Sequence, residues 1–111
     1  MKPENILIKD DYLKIADFGF AKQSDNNSFM KTIVGTPLYM SPQILSSEQY
    51  TYKCDIWALG VMLYEFLVGK PPFPLKNNNM LENIKNTKEI VFPPELNISE
   101  KVKELIRGCL K

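Results

Sequence analysis

One stretch of sequence decides the fold: KCDIWALGVMLYEFLV, residues 53–68. Apolar side chains occupy nearly every side of a helix drawn through it: Ile56, Trp57, Leu59, Val61, Met62, Leu63, Phe66 and Leu67. A surface helix has one apolar stripe, so a helix that is apolar almost all round is expected in the centre of a domain. Gly69 and then Pro71-Pro72 end the pattern. The sequence therefore predicts a central helix over 53–68, with the other elements packed around it.

Two shorter helices are predicted on the carboxyl side of this stretch. The first follows the asparagine run 77–79 and has amphipathic spacing at Met80, Leu81 and Ile84. The second has a candidate N-cap in Ser99, with Glu100 favourably placed in its first turn. Apolar residues then recur at helical spacing: Val102, Leu105, Ile106, Cys109 and Leu110.

A small β-hairpin is predicted near the amino end. Residues 5–8 (NILI) and 13–15 (LKI) are β-prone, and the polar turn 9–11 joins them. No period is sustained over 20–40, where turn residues are frequent, so this stretch is expected to be an exposed, mobile loop of regulatory length. These patterns predict a mostly helical chain with one small hairpin, and 111 residues make one domain or part of one.

Composition excludes several classes of function. The 111 residues are 44% hydrophobic and 24% charged, and charges of both signs are interspersed to a net charge of +1, so no nucleic-acid-binding stripe is expected. The longest apolar stretch, 56–68, is interrupted by Gly60 and Glu65, so no membrane span is expected. Cys54 and Cys109, without a secretory signal, are expected to be reduced thiols of a cytoplasmic protein. The absence of histidine excludes His-based catalysis and His-containing zinc sites in this chain, leaving carboxylates, lysine and a hard metal.

Residues at the two ends of the predicted hairpin suit phosphoryl transfer, which needs a metal at the phosphates and positive charge near the transferred group. Asp17 offers a carboxylate to Mg²⁺, and Asn5 offers a neutral amide oxygen. Lys2, three residues before Asn5, is placed to reach the phosphoryl group, and Gly19 lets the backbone turn after Asp17. Taken alone, Lys2 and Asn5 are more typical of a solvated turn than of a catalytic site.

The order of five motifs resembles the C-lobe of eukaryotic protein kinases across essentially the whole chain. These motifs are Lys2–Asn5 (KPEN), Asp17–Gly19 (DFG), Gly35–Gln43 (GTPLYMSPQ), Asp55–Gly60 (DIWALG) and Lys70–Phe73 (KPPF). Lys2 and Thr36-Pro37 are similar to the serine/threonine type. The segments 15–22 and 40–42 most resemble Unc-51-like kinases, the autophagy-initiating group.

The resemblance implies the α+β fold of a protein kinase, of which residues 1–111 would be a partial domain: the mostly helical C-lobe with a small β-hairpin. It implies an enzyme that transfers the γ-phosphoryl group of Mg-ATP to a Ser or Thr hydroxyl of a protein substrate. It implies that Lys2 assists transfer and contacts ATP, and that Asn5 and Asp17 bind Mg²⁺. Thr36 would shape the pocket beside the substrate hydroxyl, and Asp55 would support the catalytic loop.

The resemblance also concerns regulation. Thr32, three residues before Gly35, stands where many relatives carry an activating phosphate, and Ser24 and Ser28 are weaker candidates. Gln43 replaces a glutamate that pairs with an arginine in relatives, so we expect looser docking of the activation segment, which does not by itself imply inactivity.

The catalytic aspartate of the family would lie immediately before Met1, and the ATP-covering N-lobe is absent from the sequence. The isolated chain is therefore expected to be inactive and, with one side of the 53–68 helix uncovered, poorly soluble. Two alternatives to an enzyme segment stay open. One is a truncated product that acts as a binding module through the surface around Thr36, Tyr39 and 77–86, and the other is a pseudokinase scaffold.

Overall fold

The computed structural model describes residues 1–16, 37–49, 51–76 and 78–111. Six of the candidate functional residues lie outside the described residues: Asp17, Gly19, Ser24, Ser28, Thr32 and Thr36. Most of the predicted loop 20–40 lies outside them as well.

The described elements confirm the predicted α+β class. In chain order they are β1 (Ile6–Lys9), β2 (Tyr12–Ile15), α1 (Pro42–Leu45), α2 (Lys53–Val68), α3 (Met80–Asn86) and α4 (Glu100–Cys109). Short 3₁₀ turns occupy Pro3–Asn5, Pro37–Tyr39 and Pro94–Leu96.

The predicted hairpin is confirmed, with a tighter turn than expected. β1 and β2 are antiparallel, and Ile6 lies opposite Ile15 while Lys9 lies opposite Tyr12. Asp10 and Asp11 alone make the turn, with φ angles of 52° and 63° in the left-handed region. Aspartate tolerates this region better than most residues, and two such residues in succession match the twist of the flanking strands.

The central helix α2 has the predicted bounds. It ends at Gly69, whose φ of 83° suits glycine and whose N–H donates to the carbonyl oxygen of Glu65 at 2.8 Å. One side of α2 is buried, but Ile56, Leu59, Phe66 and Leu67 are exposed along the other. The expectation that one side of this apolar helix is uncovered in the chain is therefore met.

The core consists of two clusters that meet along α2. The first contains Leu38, Trp57, Val61, Phe73 and Met80, and the Trp57 and Phe73 rings stack with centroids 5.5 Å apart and planes 3° apart. It joins α2 to α3 and to the Pro37–Tyr39 turn. The second cluster contains Tyr64, Phe92 and Ile106, and it joins α2 to α4.

Helix α4 approaches α2 closely at Gly60. A Cβ atom built on Gly60 would lie 2.6 Å from Cβ of Cys109, so only glycine fits the contact without displacement.

The predicted N-cap of α4 is confirmed, because Ser99 Oγ accepts a hydrogen bond from the Val102 N–H at 3.4 Å. One residue of the predicted apolar face is misplaced: Leu105 is 57% exposed, whereas Ile106 is fully buried. Because α4 packs on α2 along one narrow side, fewer of its apolar residues are buried than their helical spacing predicted.

Helix α3 is also confirmed, and its cap comes from the asparagine run that precedes it. The Asn79 side chain accepts a hydrogen bond from the Glu82 N–H at 3.1 Å. Such a cap satisfies one of the free N–H groups that begin every helix.

Candidate active site

The amino end forms a single 3₁₀ turn that contains two of the predicted site residues. Pro3 occupies its first position, where the missing N–H is harmless, and the Asn5 N–H donates to the Lys2 carbonyl at 3.1 Å. The Lys2 side chain is exposed and Asn5 is half-buried. The turn therefore joins the backbones of a lysine and an asparagine just before β1.

The hairpin closes onto this turn. The Ala16 N–H donates to the Asn5 carbonyl oxygen at 2.7 Å, which extends the ladder one step beyond the Ile6–Ile15 pair. Ala16 is the residue before Asp17 in the sequence. The end of β2 is thus held next to Asn5.

The first turn of α2 faces the same end of the chain. Oδ1 of Asp55 lies 4.0 Å from the Met1 amino nitrogen, and the Asp55 side chain is mostly exposed. An exposed ion pair at this distance contributes little to stability. The contact places α2 beside the 3₁₀ turn, whereas the supporting role assigned to Asp55 stays a prediction.

The described residues that begin at Pro37 are attached to α2. The Tyr39 hydroxyl donates to Oε2 of Glu65 at 2.6 Å, and Leu38 is buried in the first core cluster. Burial and the hydrogen bond to Glu65 raise the pKa of Tyr39 above its ordinary value. Tyr39 therefore remains a protonated donor at neutral pH.

A second attachment follows at Ser41, which is 1% exposed. Its hydroxyl donates to Sγ of Cys54 at 2.9 Å and accepts from the Ile44 N–H at 3.4 Å. Ser41 is thus the N-cap of α1, with Pro42 at the first helical position. This helix is not among those predicted from the sequence, although a serine followed by proline is a helix-start signal.

Beside these attachments lies an open depression of about 500 Å³. It is lined by Pro37, Leu45 and residues 78–81. The depression adjoins Pro37, the residue after Thr36, and also the start of α3. This is the surface predicted for the binding-module alternative.

The described residues hold no group of three or more His, Cys, Asp or Glu side chains arranged to bind a metal ion. The predicted magnesium pair is Asn5 with Asp17, and the latter lies outside the described ranges. Nor does any helix in the described parts have the length and apolar character required to cross a bilayer.

A family model of the protein kinase domain matches residues 1–111. The chain belongs to the protein kinase domain family. The helices around α2, the hairpin and the motif order observed above agree with this assignment, and the kinase resemblance stated from the sequence is confirmed.

The chain is similar to curated proteins named serine/threonine-protein kinase ATG1. It is 48% identical over 101 residues to the one from Debaryomyces hansenii and 50% identical over 101 residues to the one from Aspergillus oryzae. Its identity to the one from Schizosaccharomyces pombe is 46% over 101 residues. Each match covers 89% of this chain but only 11% or 12% of the relative. The predicted likeness to the Unc-51-like group is thereby confirmed.

Proposed function

We propose that the chain forms part of the phosphoryl-transfer site of a serine/threonine protein kinase. The reaction moves the γ-phosphoryl group of Mg-ATP to a Ser or Thr hydroxyl of a protein substrate in the cytoplasm. The proposal is supported by family membership and by the likeness to the ATG1 kinases. The structural observation that carries it is the hydrogen bond from Ala16 to Asn5.

Asn5 and Asp17 serve as the magnesium ligands in this proposal. An amide oxygen and a carboxylate are hard donors of the kind that Mg²⁺ prefers. Ala16, the residue before Asp17, is hydrogen-bonded to Asn5. Consecutive Cα atoms are about 3.8 Å apart, so the chain reaches Asp17 directly from this bonded end of β2. This connection supports assigning the two ligands to one site. The bound ion would neutralise charge on the ATP phosphates.

Lys2 supplies positive charge beside the transferred phosphoryl group. Its exposed ammonium group projects from the same 3₁₀ turn as Asn5, so both would act on one nucleotide. Donors held in place before the reaction stabilise developing negative charge more effectively than water does. In this proposal Asp55, in the first turn of α2, has the supporting role that the family resemblance implies.

Thr36 and the anchored residues after it face the protein substrate. Pro37 follows Thr36 directly and begins the turn whose Leu38 and Tyr39 are attached to α2. A fixed segment at this point would shape the pocket for the substrate hydroxyl. Thr32 is the proposed acceptor of an activating phosphate, and Gly19 lets the chain turn after Asp17.

The isolated 111-residue chain is proposed to lack activity, because the family's catalytic base is not among its residues. The decisive experiment uses the protein at its natural length and measures Mg-ATP binding by calorimetry at several magnesium concentrations. Asp17→Asn and Asn5→Ala should each raise the magnesium concentration for half-maximal binding at least tenfold.

Asp10→Asn is the matched control for these variants. It also removes a carboxylate, but in the hairpin turn, where Asn tolerates the positive φ angle equally well. Its magnesium dependence should equal that of the wild type. Unchanged binding of Mg-ATP by Asp17→Asn would overturn the proposal.

One observation favours a second function, that of a binding module without catalysis. The open depression near Pro37 and the start of α3 offers both apolar and amide groups to a peptide. The two functions are distinguished by the same calorimetry, since a binding module at its natural length would show no magnesium-dependent ATP binding.

A further inference from the structure

Ser41 is among the most deeply buried polar residues of the described chain. A buried hydroxyl is costly unless it is hydrogen-bonded, and both capacities of this hydroxyl are used. It donates to Cys54 Sγ at 2.9 Å, and it accepts from the Ile44 N–H at 3.4 Å. Gln43 in the same short helix is exposed, so Ser41 makes the buried polar contact between this part of the chain and α2.

Two side-chain hydrogen bonds, this one and that of Tyr39, join residues 37–41 to α2, beside the apolar packing of Leu38. Cys54 lies in the first turn of α2, and Glu65, the partner of Tyr39, lies near its end. Eleven residues of helix rise about 16 Å, so the two attachment points are well separated along the axis. A segment attached at one point could rotate, whereas attachment at two distant points fixes its direction as well as its position.

We propose that Ser41 is a positioning residue that, through Cys54, sets how residues 37–41 meet the protein substrate. This inference rests on the function proposed above and extends it to the protein-substrate side of the site. The ATP side depends on Lys2 and Asn5, which belong to the hairpin end and not to this segment. Loss of the Ser41–Cys54 contact should therefore affect the protein substrate and spare ATP.

The contact itself can be measured without any assay of activity. Cys54 is a free, buried thiol, and Cys109 in α4 is a free, half-buried one. In the protein at its natural length, alkylation by iodoacetamide under native conditions should be about fivefold faster at Cys54 in Ser41→Ala than in wild type, as expected for one lost hydrogen bond. The Cys109 rate should stay unchanged, because global unfolding would accelerate both.

Ser46→Ala is the matched control, since Ser46 lies at the other end of α1 and is the C-cap. It should leave the Cys54 rate at the wild-type value. An unchanged Cys54 rate in Ser41→Ala would overturn the inference. So would equal acceleration at Cys54 and Cys109, because that result would indicate a general loss of stability.

Steady-state kinetics then separate positioning from a merely structural role. Ser41→Ala and Cys54→Ala should each raise KM for the protein substrate about fivefold and leave KM for ATP unchanged. The double variant should be no worse than either single variant, because both remove the same contact. Cys54→Ser, which keeps a buried hydrogen-bonding group, should recover most of the loss.

Independent, additive effects of the two alanine variants, or equal changes in both KM values, would overturn the positioning role. A wild-type protein that transfers no phosphoryl group would overturn the proposed function and, with it, the kinetic part of the inference. The alkylation rates would still decide whether Ser41 anchors the segment to Cys54, so the two failures are distinguishable.

Discussion

The Tyr39 hydroxyl donates a 2.6 Å hydrogen bond to the Glu65 carboxylate, which joins two residues 26 positions apart. A hydrogen bond to a charged acceptor is stronger than one between neutral groups. Both side chains are half-buried, so water competes less well for either partner. The bond attaches the residues that follow Asp17–Thr36 to the helix at the centre of the fold.

Tyr39→Phe should lower the free energy of unfolding by about 1.5–3 kcal/mol, because it leaves the Glu65 carboxylate without this donor. Urea unfolding followed by circular dichroism measures the change. Tyr52→Phe is the control, since Tyr52 is 77% exposed and its hydroxyl is accessible to water. Equal urea midpoints for the two variants would contradict a stabilising role for the Tyr39–Glu65 bond.

Stability should fall in alkaline solution. Burial and Glu65 raise the pKa of Tyr39, and burial raises that of Tyr64, above the ordinary value of 10.0. As the pH passes about 10, the unfolded chain releases these protons while the folded chain retains them. The unfolded state then binds fewer protons, so the free energy of unfolding decreases with pH.

The decrease in the free energy of unfolding that Tyr39 and Tyr64 cause should appear above about pH 10 and be absent between about pH 7 and pH 9. Unfolding measured at a series of alkaline pH values tests it. In Tyr39→Phe the slope above pH 10 should be shallower, because one of the two retained protons is gone. A slope identical to that of the wild type would show that Tyr39 does not hold its proton more tightly when folded.

Much of the fold was predictable because its signals are local. The central helix was placed at its observed bounds, since its apolar run is long and Gly69 is a clear stop. The hairpin was placed with the right strands, and Lys2 and Asn5 were correctly expected at its end. The motif order then predicted the kinase family, which the family match confirms.

The contacts that hold the site were not predictable in the same way. Helix α1 has four residues, which is too short to show a helical period. The Tyr39–Glu65 and Ser41–Cys54 bonds depend on how separate segments pack, and spacing along the chain does not encode that. The exposure of Leu105 has the same cause, because helical spacing gives the direction of a face but not the width that its neighbour covers.

Gly60→Ala should destabilise the protein by about 1–3 kcal/mol, as overpacked core positions do. The added Cβ would lie 2.6 Å from Cβ of Cys109 and would push α4 away from α2. Gly108→Ala is the matched control, because nothing lies within 4 Å of a Cβ added there. That variant should instead stabilise α4 by about 0.5–1 kcal/mol, since alanine favours helix. Thermal unfolding of both variants measures the contrast, and a shift of the same sign in both would contradict the close packing of the two helices.

The exposed side of α2 should make the 111-residue chain self-associate. Ile56, Leu59, Phe66 and Leu67 form a continuous apolar surface on that side, and surfaces of this kind drive association when they are uncovered. Sedimentation velocity at rising protein concentration should show growing oligomers. Phe66→Lys should shift the distribution towards monomer, because a desolvated ammonium group would disfavour the contact.

Leu75→Lys is the control for this change. Leu75 is 66% exposed and Phe66 is 65% exposed, so the two substitutions alter similarly accessible apolar residues, but Leu75 lies outside α2. If the α2 side is the contact, Leu75→Lys should leave the oligomer distribution unchanged while Phe66→Lys reduces it. Equal effects would mean that association depends on total exposed apolar area, and a monomeric wild-type chain at all concentrations would show that this side of α2 does not self-associate.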